Sequence, residues 1–246
     1  MTFAIYGLIG LSSFFLIIVP ITGGIVLNPL LSLIVDPHTA VSMTVFFFTL
    51  NSAIKAAIFY RHIVWKYSIT MLPVSVISAI IGTYAIGLAP EFLLYLIMLL
   101  MTIYFSFKKI VTLLPEYKNP IKESASGNFA TSIASGFMQG AGLGGGGSLR
   151  KVYFLSNGMS LLQMHGTTSS LSVILGAVST FVRLQTDQVT FDVLLPIVYL
   201  IPIMILATAF GKMALVRLSE RISNRIIIVT LAITTVILSY KLATIL

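Results

Sequence analysis

The stretch Gly140-Ala-Gly-Leu-Gly-Gly-Gly-Gly147 decides how this chain folds, because it interrupts an apolar run that otherwise has no reason to stop. Residues 128–157 read apolar to Met138, break across the glycines, and resume to about Ser156. The pieces on either side hold about ten residues each. At about 1.5 Å rise per residue, each reaches only half-way across about 30 Å of hydrocarbon. The segment therefore reads as a broken helix or re-entrant hairpin. A second apolar run, residues 3–35, breaks in the same way at Pro20 and Gly23-Gly24.

The two breaks are related. Gly24 and Gly147 stand 123 residues apart (147 − 24 = 123), as do Ala53 and Gly176, Pro73 and Pro196, and Thr44 and Thr167. That offset is half of the 246 residues. The chain reads as two copies of one unit, residues 1–112 and 128–246, joined by a polar, cytoplasmic connecting loop over 113–127.

Around the breaks, six stretches are long and apolar enough to span a bilayer: about 38–59, 68–88, 91–112, 162–182, 190–211 and 224–246. Hydrophobic residues make up 57% of the chain and charged ones 9%, against about a quarter charged in a soluble domain. With a mean hydropathy of +1.03, the solvent for most of this surface has to be lipid. Residues 3–19 have no basic cluster before them and no small-residue cleavage site, so a removable signal peptide is not expected.

Charge placement sets the topology. With six crossings and two re-entrant segments, one side collects Arg61, Lys66, Lys108, Lys109, Lys118, Lys122, Arg150, Lys151, Lys212, Arg217, Arg221 and Arg225. The other side receives Arg183 and Lys241 together with Asp36, Glu91, Asp187 and Asp192. This is the asymmetry of the positive-inside rule. Counting eight full spans, in a 4+4 arrangement, moves the basic loop 212–225 across and largely abolishes the bias. Three crossings per half are odd, so the halves are expected to be inverted, with both termini outside the cytoplasm. The fold expected is an all-α polytopic membrane protein of two inverted repeats in the cytoplasmic membrane.

The net charge of +8 belongs to these loops, and no nucleic-acid partner is expected. The absence of cysteine excludes disulfides, thiolate metal sites and a cysteine nucleophile. His38, His62 and His165 are scattered, and the glycine run lacks the Gly-Lys-Ser/Thr ending of a phosphate loop. No nucleophile–base pair or buried carboxylate pair appears in the spans, so neither an enzyme nor a cofactor is expected.

Inverted repeats with interrupted helices suit transport, because free helix ends meet near mid-membrane. Half-helix N-termini carry unpaired N–H groups and partial positive charge, which favour an anion. The candidate substrate-binding residues are accordingly Gly23 and Gly24 in the first break, and Gln139, Gly144, Gly145, Gly146, Gly147 and Ser148 in the second, with Ser148 as a potential N-cap. Arg150 follows the glycines, beside Lys151. Either cation faces the anion or snorkels to the interface, and of the two Arg150 is counted in the candidate set. Lys55, about four residues from the end of its span, fits snorkelling better. A dense polar patch, His165, Thr167, Thr168, Ser169 and Ser170, opens one span, and Asn51 and Ser52 offer similar polarity in the matching span, with Ser42 and Thr44 a turn or more away. Of these, His165, Thr167, Thr168, Ser169, Asn51 and Ser52 join the candidate set. No Asp or Glu lies well inside a span, so a carboxylate proton relay has no candidate.

Two sets of motifs carry a resemblance. The first half has Gly23-Gly24-Ile-Val-Leu-Asn28-Pro29-Leu-Leu31, Ala40-Val-Ser-Met-Thr44 and Ile63-Val-Trp65. The second half has Gly136-Phe-Met-Gln-Gly140-Ala-Gly-Leu-Gly-Gly-Gly-Gly147 followed by Gly166-Thr-Thr-Ser169. Together they resemble the sulfite exporter TauE/SafE family of membrane permeases over essentially the whole chain. The sequence departs from the family pattern at Pro20-Ile-Thr22, where more glycine is usual, at Val152 in place of the second proline, and at Arg150 and Lys151. The resemblance implies transport of small sulfur-containing anions such as sulfite, thiosulfate, sulfoacetate or other organosulfonates. The partners expected are that anion and membrane lipid; a homodimer is compatible with the sequence but not required by it. A passive anion channel on the same repeat is the alternative.

Overall fold

A computed structural model describes residues 23–111, 124–215 and 220–245. The expected apolar piece at 3–19 and most of the expected loop at 113–127 lie outside the described residues. Every regular element among the described residues is helical. In chain order these are α1 (Gly23–Leu31), α2 (Pro37–Ile58), a 3-10 turn (Tyr60–His62), α3 (Trp65–Gly87) and α4 (Glu91–Val111). They are followed by α5 (Ala125–Gly140), α6 (Gly146–Ser156), α7 (Leu161–Gln185), α8 (Phe191–Val198), α9 (Ile201–Leu215) and α10 (Glu220–Ile245).

Local chemistry explains where several of these begin. Asp36 accepts from the Thr39 N–H at 2.9 Å and Pro37 opens α2, a position where its missing N–H costs nothing. Ser160 and Gln163 form a reciprocal capping box at the start of α7. Ser124 caps α5 through the Gly127 N–H, so α5 starts three residues before the expected boundary at 128.

The chain is a multi-pass membrane protein, with α2, α3 and α7 each long and apolar enough to cross a bilayer. The expected span 190–211 is instead α8 and α9, bent by 47°. Pro202 accounts for the bend: it has no N–H for the Val198 carbonyl, and its ring crowds that oxygen. The Tyr199 and Leu200 N–H groups bond tightly back to Pro196 and Ile197 instead, at 3.3 and 3.1 Å. The expected spans 91–112 and 224–246 correspond to α4 and α10, whose described residues include the apolar stretches Glu91–Tyr104 and Leu231–Thr244.

At the centre α2 packs along α7, with Gly176 directly against Thr49. The helix α3 lies against both α7 and α5. Its contact with α5 is made of small residues: a Cβ on Gly140 would overlap the Ala79 carbonyl, so backbone packs on backbone. Leu27, Leu31, Phe47, Leu194 and Met204 bury one apolar cluster between α1, α2, α8 and α9. A second joins α2, α4 and α10 through Val41, Leu94, Met98 and Leu238.

Between α5 and α6 the glycine run is the interruption itself. Gly142 and Gly144 take φ of +72° and +75°, the left-handed conformation in which a Cβ is strained. The Asn28 amide of α1 donates to the Gly142 carbonyl at 2.6 Å, tying the first break's helix to the second break.

Candidate functional site

The two breaks meet. A Cβ on Gly24 would lie 2.6 Å from the Gly144 Cα, so here α1 and the turn before α6 are in direct main-chain contact. A cavity of about 100 Å³ opens beside this contact. One water needs about 10–15 Å³ of such space, so the cavity has room for a small polyatomic solute with water.

Its floor is main chain: Gly24 from α1, Gly142 and Gly144 from the turn, and Gly147 from the first turn of α6. The first N–H groups of a helix have no intrahelical partner. The cap residue of α6 is Gly145, which has no side-chain acceptor to offer them. Ser148 lines the cavity as the third residue of α6, and it is not the N-cap expected from the sequence.

Its walls are two facing stripes at helical spacing. From α2 come Thr44, Phe48, Ser52 and Lys55, and from α7 His165, Thr168, Ser169 and Ser172. The Thr44 and Thr168 hydroxyls are buried and have no hydrogen-bond partner. A buried hydroxyl without a partner costs free energy, which a hydrogen bond to a solute at this wall would offset. Gln139 at the end of α5 and Lys151, four residues after Gly147, complete the lining. Among the described residues no carboxylate lines the cavity. Asp36, Glu91, Asp187 and Asp192 all sit at helix ends or in turns.

Of the residues expected at the site, Gly24, Ser52, Gln139, Gly144, Gly147, Ser148, His165, Thr168 and Ser169 are brought together here. The others support it from outside the lining. Gly23 is the first described residue of α1, Gly145 caps α6, and Gly146 packs against the Ser135 carbonyl. Asn51 is buried next to Ser52 but off the lining stripe. The Thr167 hydroxyl accepts from the Val64 N–H at 3.0 Å, holding the turn before α3 against α7. His165 stacks on Phe59 with ring centroids 5.9 Å apart.

The cations are distributed differently from the sequence expectation. Lys55, expected to snorkel, lines the cavity with Lys151. Arg150 is fully buried and donates to Gln139 Oε1 at 3.0 Å and Ser172 Oγ at 2.8 Å, with a longer bond of 3.4 Å to Ser135 Oγ. Arg183, expected among the loop charges, is also fully buried. Its guanidinium donates to the Gly140 carbonyl at 2.9 Å, Gln188 Oε1 at 3.0 Å and Ser42 Oγ at 3.3 Å. It thereby holds the end of α5 against α7 and α2. Arg183→Lys keeps the charge but loses the planar fork, and one ammonium cannot serve all three acceptors. Stability is expected to fall by about 1–3 kcal/mol, read as melting temperature in detergent. An unchanged melting temperature would remove this clamp from the account.

The cavity residues that sequence reading left out of the set are Thr44, Val45, Phe48, Lys55, Gly142, Lys151 and Ser172. All of them but Gly142 lie three or four residues from another lining residue on the same helix, a spacing visible in the sequence although the face it marks is not. The family model described as Sulfite exporter TauE/SafE matches residues 5–238. No curated protein and no solved structure matches the chain.

Proposed function

Since the chain belongs to the sulfite exporter TauE/SafE family, we propose that it is a secondary transporter of small sulfur-containing oxyanions such as sulfite, thiosulfate, sulfoacetate or other organosulfonates. The membrane it serves is the cytoplasmic membrane. The observation that carries the anion reading is the convergence of the α6 N-terminus, the main chain of Gly24, two unpartnered hydroxyls and two lysines on a cavity whose described lining holds no carboxylate. Helix N-termini and cations both favour negative charge, and in a site of low dielectric they are screened little.

The architecture that goes with this function is two inverted repeats, with the substrate held where the repeats meet. Reciprocal packing supports it. At the 123-residue offset, α3 against α7 has its counterpart in α9 against α2, and α1 against α2 in α6 against α7. Under this arrangement α5 and α6 turn back on themselves, and a C-terminal tag is digested by protease added outside intact cells. Protection of that tag until the cells are lysed would overturn the topology.

The transporter reading is tested with purified protein in liposomes. Saturable uptake of labelled sulfite, accelerated by unlabelled anion on the opposite side, is expected. Large unitary currents would make the protein a passive channel instead. Binding is tested by thermal shift in detergent with sulfite, thiosulfate, sulfate, sulfoacetate and taurine, since a ligand of the native state raises its stability. Stabilisation by a cation or neutral solute and by none of these anions would end the anion reading.

Thr44→Val and Thr168→Val preserve shape and remove only the unpartnered hydroxyls. Each is expected to leave the melting temperature unchanged or raised. Each is also expected to weaken anion binding by about 1.5–3 kcal/mol, the usual worth of a hydrogen bond to a charged group. A lowered melting temperature with intact binding would mean that the hydroxyls serve the fold instead.

A further inference from the structure

Arg150 reaches the cavity through two other side chains. The geometry points to Arg150 as a positioning residue that fixes Gln139 and Ser172 as hydrogen-bond donors toward the cavity, so that the site rejects cations and hydrogen-bond-donating solutes. This inference rests on the anion reading above and specifies how the site achieves its selectivity.

Glutamine and serine are ambivalent: each side chain can donate or accept. A glutamine in a cavity wall can therefore serve an anion with its amide NH2 or a cation with its carbonyl, by rotating half a turn. A guanidinium is a donor only, in every protonation state accessible to a protein. Arg150 places one nitrogen 3.0 Å from Gln139 Oε1 and 2.8 Å from Ser172 Oγ. The Gln139 carbonyl oxygen is thereby committed to Arg150, and the amide nitrogen is the end left for the cavity that Gln139 lines. The Ser172 oxygen accepts from Arg150 with one lone pair, which turns its O–H away from the guanidinium and biases it to donate toward the cavity that Ser172 lines. Arg150 itself is fully buried and outside the lining. Its third acceptor, Ser135, belongs to α5, so the guanidinium spans α5, α6 and α7 and sets both polarities from one fixed point.

The geometry separates two neighbouring cations by role. Lys151 meets the solute's charge at the cavity, whereas Arg150 sets the direction in which neutral groups point. A bulk electrostatic role for Arg150 would be met by any cation at the position; the polarity-setting role requires a fork that reaches two acceptors.

The discriminating variant is Gln139→Glu, which keeps the side chain's shape and the contact with Arg150 and replaces the cavity-facing nitrogen by an acceptor oxygen. Sulfite affinity, measured by isothermal calorimetry in detergent, is expected to fall at least 30-fold while the melting temperature stays within a few degrees of wild type. Gln139→Met, which removes the donor without adding charge, is expected to fall about 10-fold. Arg150→Lys keeps the charge and loses the fork. It is expected to lose sulfite affinity together with discrimination against sodium, read as sodium-dependent stabilisation absent from wild type. Sulfite binding within threefold of wild type in Gln139→Glu would overturn the polarity assignment and leave the anion reading standing. Wild-type protein that binds no anion would overturn the anion reading, and the assignment with it.

Discussion

Gly144→Ala is expected to be among the most damaging single substitutions in this chain, lowering the melting temperature in detergent by about 10 °C and abolishing anion binding. Two costs combine. At φ +75° an alanine pays about 1–2 kcal/mol for the left-handed conformation. Its Cβ also lies 2.6 Å from the Gly24 main chain, where nothing can rotate aside, and such overpacking costs about 1–3 kcal/mol. For a domain of this size each kcal/mol is worth roughly 2–4 °C. The molecule contains its own control. Gly158 has nearly the same φ, +77°, but open space where a Cβ would go. Gly158→Ala therefore carries the conformational cost alone and is expected to shift melting by only a few degrees, with anion binding retained. Equal shifts for the two would show that the contact between the breaks contributes nothing beyond backbone preference.

Lys55→Gln and Lys151→Gln are expected to have the largest effects on binding among the variants that keep the fold intact. Each removes a cation from the lining of a small cavity whose described residues include no compensating carboxylate. At an effective dielectric of about 20, a unit charge about 4 Å from an anion contributes about 4 kcal/mol. Allowing for water that remains in the cavity, a loss of at least about 100-fold in sulfite affinity follows, equivalent to about 2.7 kcal/mol. The fold is expected to survive, because a cation taken out of a partly desolvated site relieves a burial cost. The check is sulfite binding against melting temperature for each variant. Near wild-type affinity in both would mean that the lysines point past the solute and that the half-helix ends carry the attraction alone.

Glycine made the break legible in the sequence, since a run of four has no stable place inside a bilayer-spanning helix and Gly140 to Gly147 is where α5 gives way to α6. What the sequence did not carry was rotational phase. Arg150 and Lys151 are neighbours, and they differ only by about 100° around α6. Until the helix is known to begin at Gly146, nothing says which of them faces Gly147's side. The same step separates Ser52, on the lining stripe of α2, from Asn51, one residue off it. Lys55 reads as an interfacial lysine by its distance from the helix end, yet it shares a stripe with Ser52 and so meets the cavity.

Arg183 was misplaced for a related reason. Charge counting treats any arginine near a span end as a loop residue, whereas its acceptors on Gly140, Ser42 and Gln188 come from segments 43 and 141 residues before it and 5 residues after it. Such a constellation exists only after folding. The bend between α8 and α9 was in principle readable from Pro196 and Pro202, but hydropathy registers the apolar character of these residues and not the hydrogen bonds they withhold.

A floor made of main chain has an evolutionary corollary. Its amides are identical whichever codon supplies them, and where Gly24 and Gly144 touch a Cβ breaks the contact, so point mutation at that contact disables the site without adjusting it. Adaptation to a new solute must then be drawn from the walls, from positions such as Thr44, Ser52, Lys55, Gln139 and Ser172, while the crossing beneath stays invariant in chemistry. The protein thus separates an untunable half of its recognition surface from a tunable one.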